Sequence, residues 1–129
     1  MKKEVLVLDP DEQQNKKLCD LLTTYDYTAI SMNSLAKTGQ YIEEIDCRAL
    51  ILNLDKVSAT NKVFRDLKTK RPLLNIIALS KRQFHPELEE AFREYISVCL
   101  AAPVDTDELD YWLKTVFENN KPLDGKTLI

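Results

Sequence analysis

The stretch Ala49-Leu50-Ile51-Leu52-Asn53-Leu54-Asp55 constrains this chain more than any other, because it opens with four consecutive apolar residues and holds no charge before Asp55. A strand with one wet face alternates apolar and polar residues. An unbroken aliphatic run reads instead as a strand buried on both faces, the state of a central strand in a parallel sheet. Parallel neighbours need crossover connections, usually helices, so the rest of the chain must alternate short apolar runs with amphipathic stretches. Further strands are expected at Val5-Leu6-Val7-Leu8 and over residues 27–32, 74–79 and 96–101. Helices are expected over residues 12–24, with Leu18, Leu21 and Leu22 inward, and up to residue 44 from a cap at Asn33 or Ser34, with Leu35, Tyr41, Ile42 and Ile45 inward. Three more follow over residues 60–70 (Val63, Phe64 and Leu67 inward), 86–94 (Leu88, Ala91 and Phe92) and, capped by Asp105 or Thr106, up to residue 119 (Leu109, Leu113, Val116 and Phe117).

Five strand–helix units in alternation give an α/β fold, a flavodoxin-like (βα)5 doubly wound parallel sheet with helices on both faces and strand order 2-1-3-4-5. A chain of 129 residues suits one domain, expected over residues 1–120. Residues 121–129, with a Pro, a Gly and little pattern, read as a tail or the start of a linker.

Scarcities exclude several functions. Gly39 and Gly125 are the only glycines, so neither a P-loop nor a GxGxxG turn is possible. Cys19, Cys47 and Cys99 are odd in number and lack CxxC or Cys/His spacing, which fits reduced thiols in a cytoplasmic protein. The start carries no signal-peptide core and no run long enough for a membrane span. A net charge of −3 gives no general attraction to nucleic acid or anionic lipid. The local cluster Lys62, Arg65, Lys68, Lys70 and Arg71 reads as a solvated helix face.

Open parallel sheets place their chemistry at the carboxyl ends of the strands. In the order 2-1-3-4-5, Asp9 to Asp11, Asn53, Ser80 and Ala102-Pro103 then rim one crevice. An acid after strand 1, a Ser/Thr after strand 4 and a Pro after strand 5 make residues 4–118 resemble the receiver domain of bacterial two-component response regulators, the CheY-like fold. That resemblance implies two adjacent acids after strand 1 holding Mg²⁺ and an Asp after strand 3 accepting a phosphoryl group. It also implies a Ser/Thr and a Lys binding the phosphoryl oxygens, and an aromatic switch residue on strand 5. Asp9, Ser80 and Pro103 match the pattern. Pro10 stands where the second acid belongs, Asn53 where the phosphoacceptor belongs, Ala102 at the Lys position and Cys99 at the switch position. Val57 and Asn61 replace the Pro and Gly usual after strand 3. The resemblance also implies a cis peptide at Ala102-Pro103.

An amide lacks the nucleophilicity of a carboxylate and forms no stable acyl phosphate, so Asn53 cannot serve as phosphoacceptor. Mg²⁺ prefers an octahedral shell of hard oxygens; Asp9 alone remains well placed, which leaves Mg²⁺ binding weak and no cofactor expected. Removing a carboxylate from a metal-free pocket relieves repulsion of about 4 kcal/mol per pair at 4 Å and an effective dielectric near 20. The reading is a degenerate pseudo-receiver: a non-enzymatic regulatory module acting through protein contacts. Two residues offer a rearranged active site as the alternative. Asp55, on the same side of the strand as Asn53, is a substitute phosphoacceptor, and Asp11 a displaced metal ligand, although it equally suits a helix N-terminus. A flavodoxin-like ligand binder is disfavoured by the missing glycines and the absence of a catalytic constellation.

The resemblance further implies an output face on helix 4, strand 5 and helix 5. Tyr95, Tyr111 and Trp112 are its candidate anchors, for a homodimer or for an output domain, including that of a transcriptional regulator. His85, before Pro86, is expected at a helix cap or in solvent.

Overall fold

The computed structural model describes residues 3–118; the expected tail over residues 121–129 and the expected last residue of the final helix lie outside the described residues. The strands are β1 (Glu4–Leu8), β2 (Thr28–Met32), β3 (Ala49–Asn53), β4 (Asn75–Ser80) and β5 (Ile96–Ala101). The helices are α1 (Glu12–Thr24), α2 (Leu35–Glu44), α3 (Asn61–Lys70), α4 (Glu89–Glu94) and α5 (Thr106–Glu118), with a 3₁₀ turn at Pro86–Leu88 leading into α4. All strand pairs are parallel, in the order β2-β1-β3-β4-β5. The expected architecture is therefore observed.

Both faces of the sheet are covered, and the strand pleat decides which residue serves which face. Leu6, Leu8, Leu50, Leu52, Ile76 and Ala78 pack with Ile42, Phe64, Leu67 and Ala91, under α2, α3 and α4. Their neighbours Val5, Val7, Ala49, Ile51, Ile77 and Leu79 pack with Leu22, Leu109, Leu113 and Val116, under α1 and α5. This double coverage is why β3 carries no polar residue before Asn53. The register of β4 on β5 slips between Ile76 and Ile77, which leaves Ser97 unpaired in the ladder. Its Oγ donates to Asn75 Oδ1 at 3.3 Å.

Several local expectations shift for physical reasons. The cap of α2 is Ser34, whose Oγ accepts the Lys37 N–H, and that of α5 is Asp105, accepting from Asp107 and Glu108. Ile45 does not face inward; it ends α2 in extended backbone, so helical spacing no longer directs it to the core, and it is 40% exposed. Tyr27 precedes β2 and sits on the other side of the sheet, its ring 5.9 Å from that of Phe117 and its Oη donating to Asp110 at 3.0 Å. At the end of α1 the chain turns at Asp26 with φ 68°. The bonds Tyr27 N–H to Leu22 O and Asp26 N–H to Thr23 O form a Schellman turn. This left-handed position favours glycine, and Asp is among the few other residues that tolerate it.

The basic cluster is not merely a solvated face. Lys68 Nζ donates to Pro72 O and Leu74 O at 2.9 and 2.7 Å, and the Arg71 guanidinium to the carbonyls of Ile42 and Glu43. Lys70 pairs with Glu43, and Arg65 with Glu90. These contacts tie α3 to its exit loop, α2 and α4. The three cysteines are free thiols; burial pushes Cys47 up to about 11.

Candidate functional site

At the carboxyl ends of the strands, Asp9 after β1, Asn53 of β3 and Ser80 of β4 are joined through one series of hydrogen bonds. Asp9 follows Leu8 and is buried. Its Oδ1 accepts the Asp11 N–H at 2.9 Å and its Oδ2 accepts the Asn53 amide Nδ2 at 3.2 Å. Asp11 is the cap of α1: its Oδ1 accepts the N–H groups of Gln13 and Gln14 at 3.1 and 3.2 Å. Pro10 begins the turn that carries the chain from β1 to this cap.

Asn53 bridges the two sides of the crevice. Its Nδ2 faces Asp9, and its Oδ1 accepts the Asp55 N–H at 2.9 Å. That turn swings the Asp55 side chain from the loop after β3 toward the loop after β4. There Asp55 Oδ1 accepts the Ser80 hydroxyl at 2.8 Å and Oδ2 accepts the Lys81 N–H at 2.7 Å. Ser80 Oγ in turn accepts the Arg82 N–H at 3.0 Å. Partial desolvation pushes the Asp55 carboxyl up, but the Lys81 and Ser80 hydrogen bonds and the charges of His85 and Lys81 outweigh it and hold the group below its ordinary value. A continuous chain of hydrogen bonds therefore runs from β1 to β4.

A cleft of ≈ 440 Å³ opens on this side, lined by Asn53, Leu54, Asp55, Lys56, Lys81, Arg82 and Ala102. The Ala102 N–H bonds Ser80 O at 2.9 Å, and the Ala102–Pro103 peptide is cis. Cys99 lies beside Ala78 in the sheet register, half-buried, its thiol raised by burial and then by the Asp55 charge.

The donor set does not fit Mg²⁺. Asp9 holds an N–H group on each oxygen, position 53 is an amide, and Asp11 is engaged in capping. Among the described residues, no group of three or more His, Cys, Asp or Glu side chains is placed to hold a metal ion.

His85 departs from expectation in its burial. It stands at the N-cap of the 3₁₀ turn, as expected, but makes no capping bond through its side chain and is not in solvent: it is buried, stacks on Phe92 with ring centroids 5.3 Å apart, and places Nε2 3.2 Å from Arg82 O. Its ring fills the space beneath the short α4, whose own apolar residues are few. Trp112 is half-buried against the core under α5, while Tyr111 is 58% exposed with its ring 5.2 Å from the indole. Tyr95 is half-buried on the opposite core.

Sequence reasoning overlooked Asn15, which is buried on α1. Its Nδ2 lies 3.2, 3.1 and 3.0 Å from the carbonyls of Val7, Asp9 and Met32, tying the ends of β1 and β2 to the helix. The signal was present: Asn15, Leu18 and Leu22 share one helical stripe at i, i+3 and i+7. Lys81 and Arg82 were also passed over, and nothing in their local sequence marks them.

No protein-family model and no curated protein matches the chain. Solved structures do. The chain is similar to the signal receiver domain of an HD domain-containing protein from Pseudomonas fluorescens, with a TM-score of 0.80 and 20% identity over 92% of this chain and 96% of that one. It is similar to the receiver domain of a sensor histidine kinase from Pseudomonas aeruginosa, solved with magnesium in its active-site cleft, with a TM-score of 0.77 and 14% identity over 92% and 100% of the two chains. A protein assigned to pilus assembly in Burkholderia thailandensis is similar at a TM-score of 0.76 and 21% identity, over 92% and 100%. At such identities the likeness speaks for backbone arrangement alone, and on it the chain has the flavodoxin-like fold of response regulator receiver domains.

Proposed function

We propose that this chain is a receiver-type signalling module that works through protein contacts and does not undergo phosphotransfer. The observation that carries this reading is the state of the crevice. An amide at position 53 bonds Asp9, and the nearby Asp55 carboxylate already has both oxygens bonded, by Ser80 and by Lys81. The residue that ends β3 carries an amide and no carboxylate, and the cation expected before Pro103 is an alanine. The module is then regulatory rather than catalytic.

Its contacts are assigned to the face of α4, β5 and α5, where Tyr111 is exposed, Trp112 and Tyr95 are half-buried, and Phe84 is 75% exposed at the start of the same side. That face would serve a homodimer or an output domain. No helix among the described residues is long and apolar enough to cross a membrane.

Incubation with acetyl phosphate and Mg²⁺, followed by intact-mass analysis, tests the reading; unmodified protein is expected, and a stoichiometric phosphoryl adduct overturns it. One observation favours the second reading, a rearranged phosphoacceptor: Asp55 is exposed in the crevice beside Ser80 and Lys81. Peptide mapping of any adduct to Asp55 selects that reading. Trp112→Ala should weaken self-association or partner binding while leaving the fold intact, and an unchanged sedimentation profile with unchanged partner affinity counts against the assigned face.

A further inference from the structure

The Asp55 carboxylate sits in a setting that suits an anion from any source. Its two oxygens receive a hydroxyl proton from Ser80 and a backbone N–H from Lys81, at 2.8 and 2.7 Å. Distances this short are those of charge-assisted bonds. Among the residues lining the surrounding cleft, Asp55 is the single acid, set against Lys56, Lys81 and Arg82. Without Asp55 the same walls would present a hydroxyl, an amide N–H and the ammonium groups of Lys56 and Lys81, the donor set of an oxyanion site, while the Arg82 guanidinium is engaged by Phe84 O and Glu87.

We propose that Asp55 is an internal latch: its carboxylate occupies a seat for oxyanions formed by Ser80 and Lys81, keeps free oxyanions out, and pins the loop after β3 to the loop after β4. The latch is anchored at two points, because the Asp55 N–H is itself held by Asn53 Oδ1. Asn53 therefore has a positive role. An amide at position 53 donates to Asp9 and accepts from Asp55 at once, which a carboxylate cannot do.

The latch reaches further than the crevice. Ser80 Oγ, oriented by Asp55, accepts the Arg82 N–H; Arg82 bonds Phe84 O and Glu87 through its guanidinium; Arg82 O meets the His85 ring. This short segment carries the exposed Phe84, on the lip of a cleft of ≈ 460 Å³ formed with His85, Pro86 and Phe92. With the latch closed, Phe84 is presented in one fixed arrangement. The device rests on the reading that no phosphoryl group is transferred in the crevice, and it states what occupies the seat instead.

Inorganic phosphate is the probe. Amide NMR spectra of the full chain are followed during titration for the wild type, Asp55→Ala and the double variant Asp55→Ala/Ser80→Ala. A latch closed in most molecules lowers the apparent affinity in proportion to the open fraction. Asp55→Ala is therefore expected to bind phosphate at least about tenfold more tightly than the wild type, with shifts at the Lys81 and Arg82 amides. Removing Ser80 in that background should abolish most of the gain. Equal titration of the wild type and Asp55→Ala, or shifts that bypass both amides, overturns the latch. Hydrogen exchange gives an independent reading on the variant Asp55→Ala, which has no side-chain acceptor for the Lys81 N–H. The Lys81 amide should exchange at least about tenfold faster while the β4 amides do not change, and unchanged exchange at Lys81 also overturns it. A phosphoryl adduct in the acetyl phosphate experiment defeats the proposed function; failure of the phosphate titration defeats the latch alone.

Discussion

At the carboxyl ends of the strands, Asp9, Asp11, Asp55 and Asp105 accept backbone N–H groups, whereas at the amino ends Lys68, Arg71 and Asn75 donate to backbone carbonyls. The difference follows from the polarity of the β–α unit. Each helix starts beside a strand's carboxyl end, so its unpaired N–H groups and positive pole gather there; its unpaired carbonyls gather at the opposite end. Side chains that accept backbone N–H groups therefore collect at one end of the sheet, and side chains that donate to backbone carbonyls at the other. Asn15 is an exception, donating at the carboxyl end, where its amide lies beside the carbonyls of Val7, Asp9 and Met32 together.

That contrast is open to direct attack, and the largest effect belongs to the exception. Asn15→Leu leaves the carbonyls of Val7, Asp9 and Met32 without their amide donor in a buried site. A loss of about 2–3 kcal/mol is expected, in the range for stranded buried polar groups, read from the urea midpoint. At the opposite end, Lys68→Met keeps the apolar stem and removes the ammonium from Pro72 O and Leu74 O. Hydrogen bonds to charged groups set an expected loss of about 1.5 kcal/mol by the same measurement. Burial also pushes the Lys68 amine below its ordinary value.

Asp11→Ala removes the α1 cap and should cost about 1 kcal/mol, with Asp11→Asn nearly neutral. A smaller contribution is visible through pH. The folded Asp55 carboxyl lies below its ordinary value, so the stability it contributes is present above about pH 4 and lost as pH falls through the lower folded value. A wild-type acid-unfolding curve should therefore show a proton uptake that Asp55→Asn lacks. Smallest of all, Lys62→Ala breaks the exposed pair with Asp66 and should change stability by less than about 0.5 kcal/mol. A larger change would mean that surface pairs, not helix polarity, dominate the electrostatics.

How far the sequence reached depended on the range of the interaction. The five strands were legible because an aliphatic run such as Leu50-Ile51-Leu52 or Ile76-Ile77-Ala78 fits few environments other than a doubly covered sheet. The ends of α1 and α3 and the inward face of α5 followed from spacing and caps. Ile45 escaped because one residue of extended backbone cancels helical periodicity. His85 escaped because its burial depends on Phe92, which a local reading places only on its own helix. Asp55 was a candidate from its two-residue step past Asn53, but its bonds to Ser80 and Lys81 join loops 25 and 26 positions apart.

By itself the sequence determined the sheet, its order and the amide at position 53, since hydrophobic patterning and residue identity are local and need no partner. Only the tertiary structure decided where the remaining carboxylates point: Asp11 to its helix, Asp9 to an amide, and Asp55 across the crevice. A side chain's hydrogen-bond partner is chosen by what the fold brings within 3 Å, and that proximity is written in no single stretch of chain.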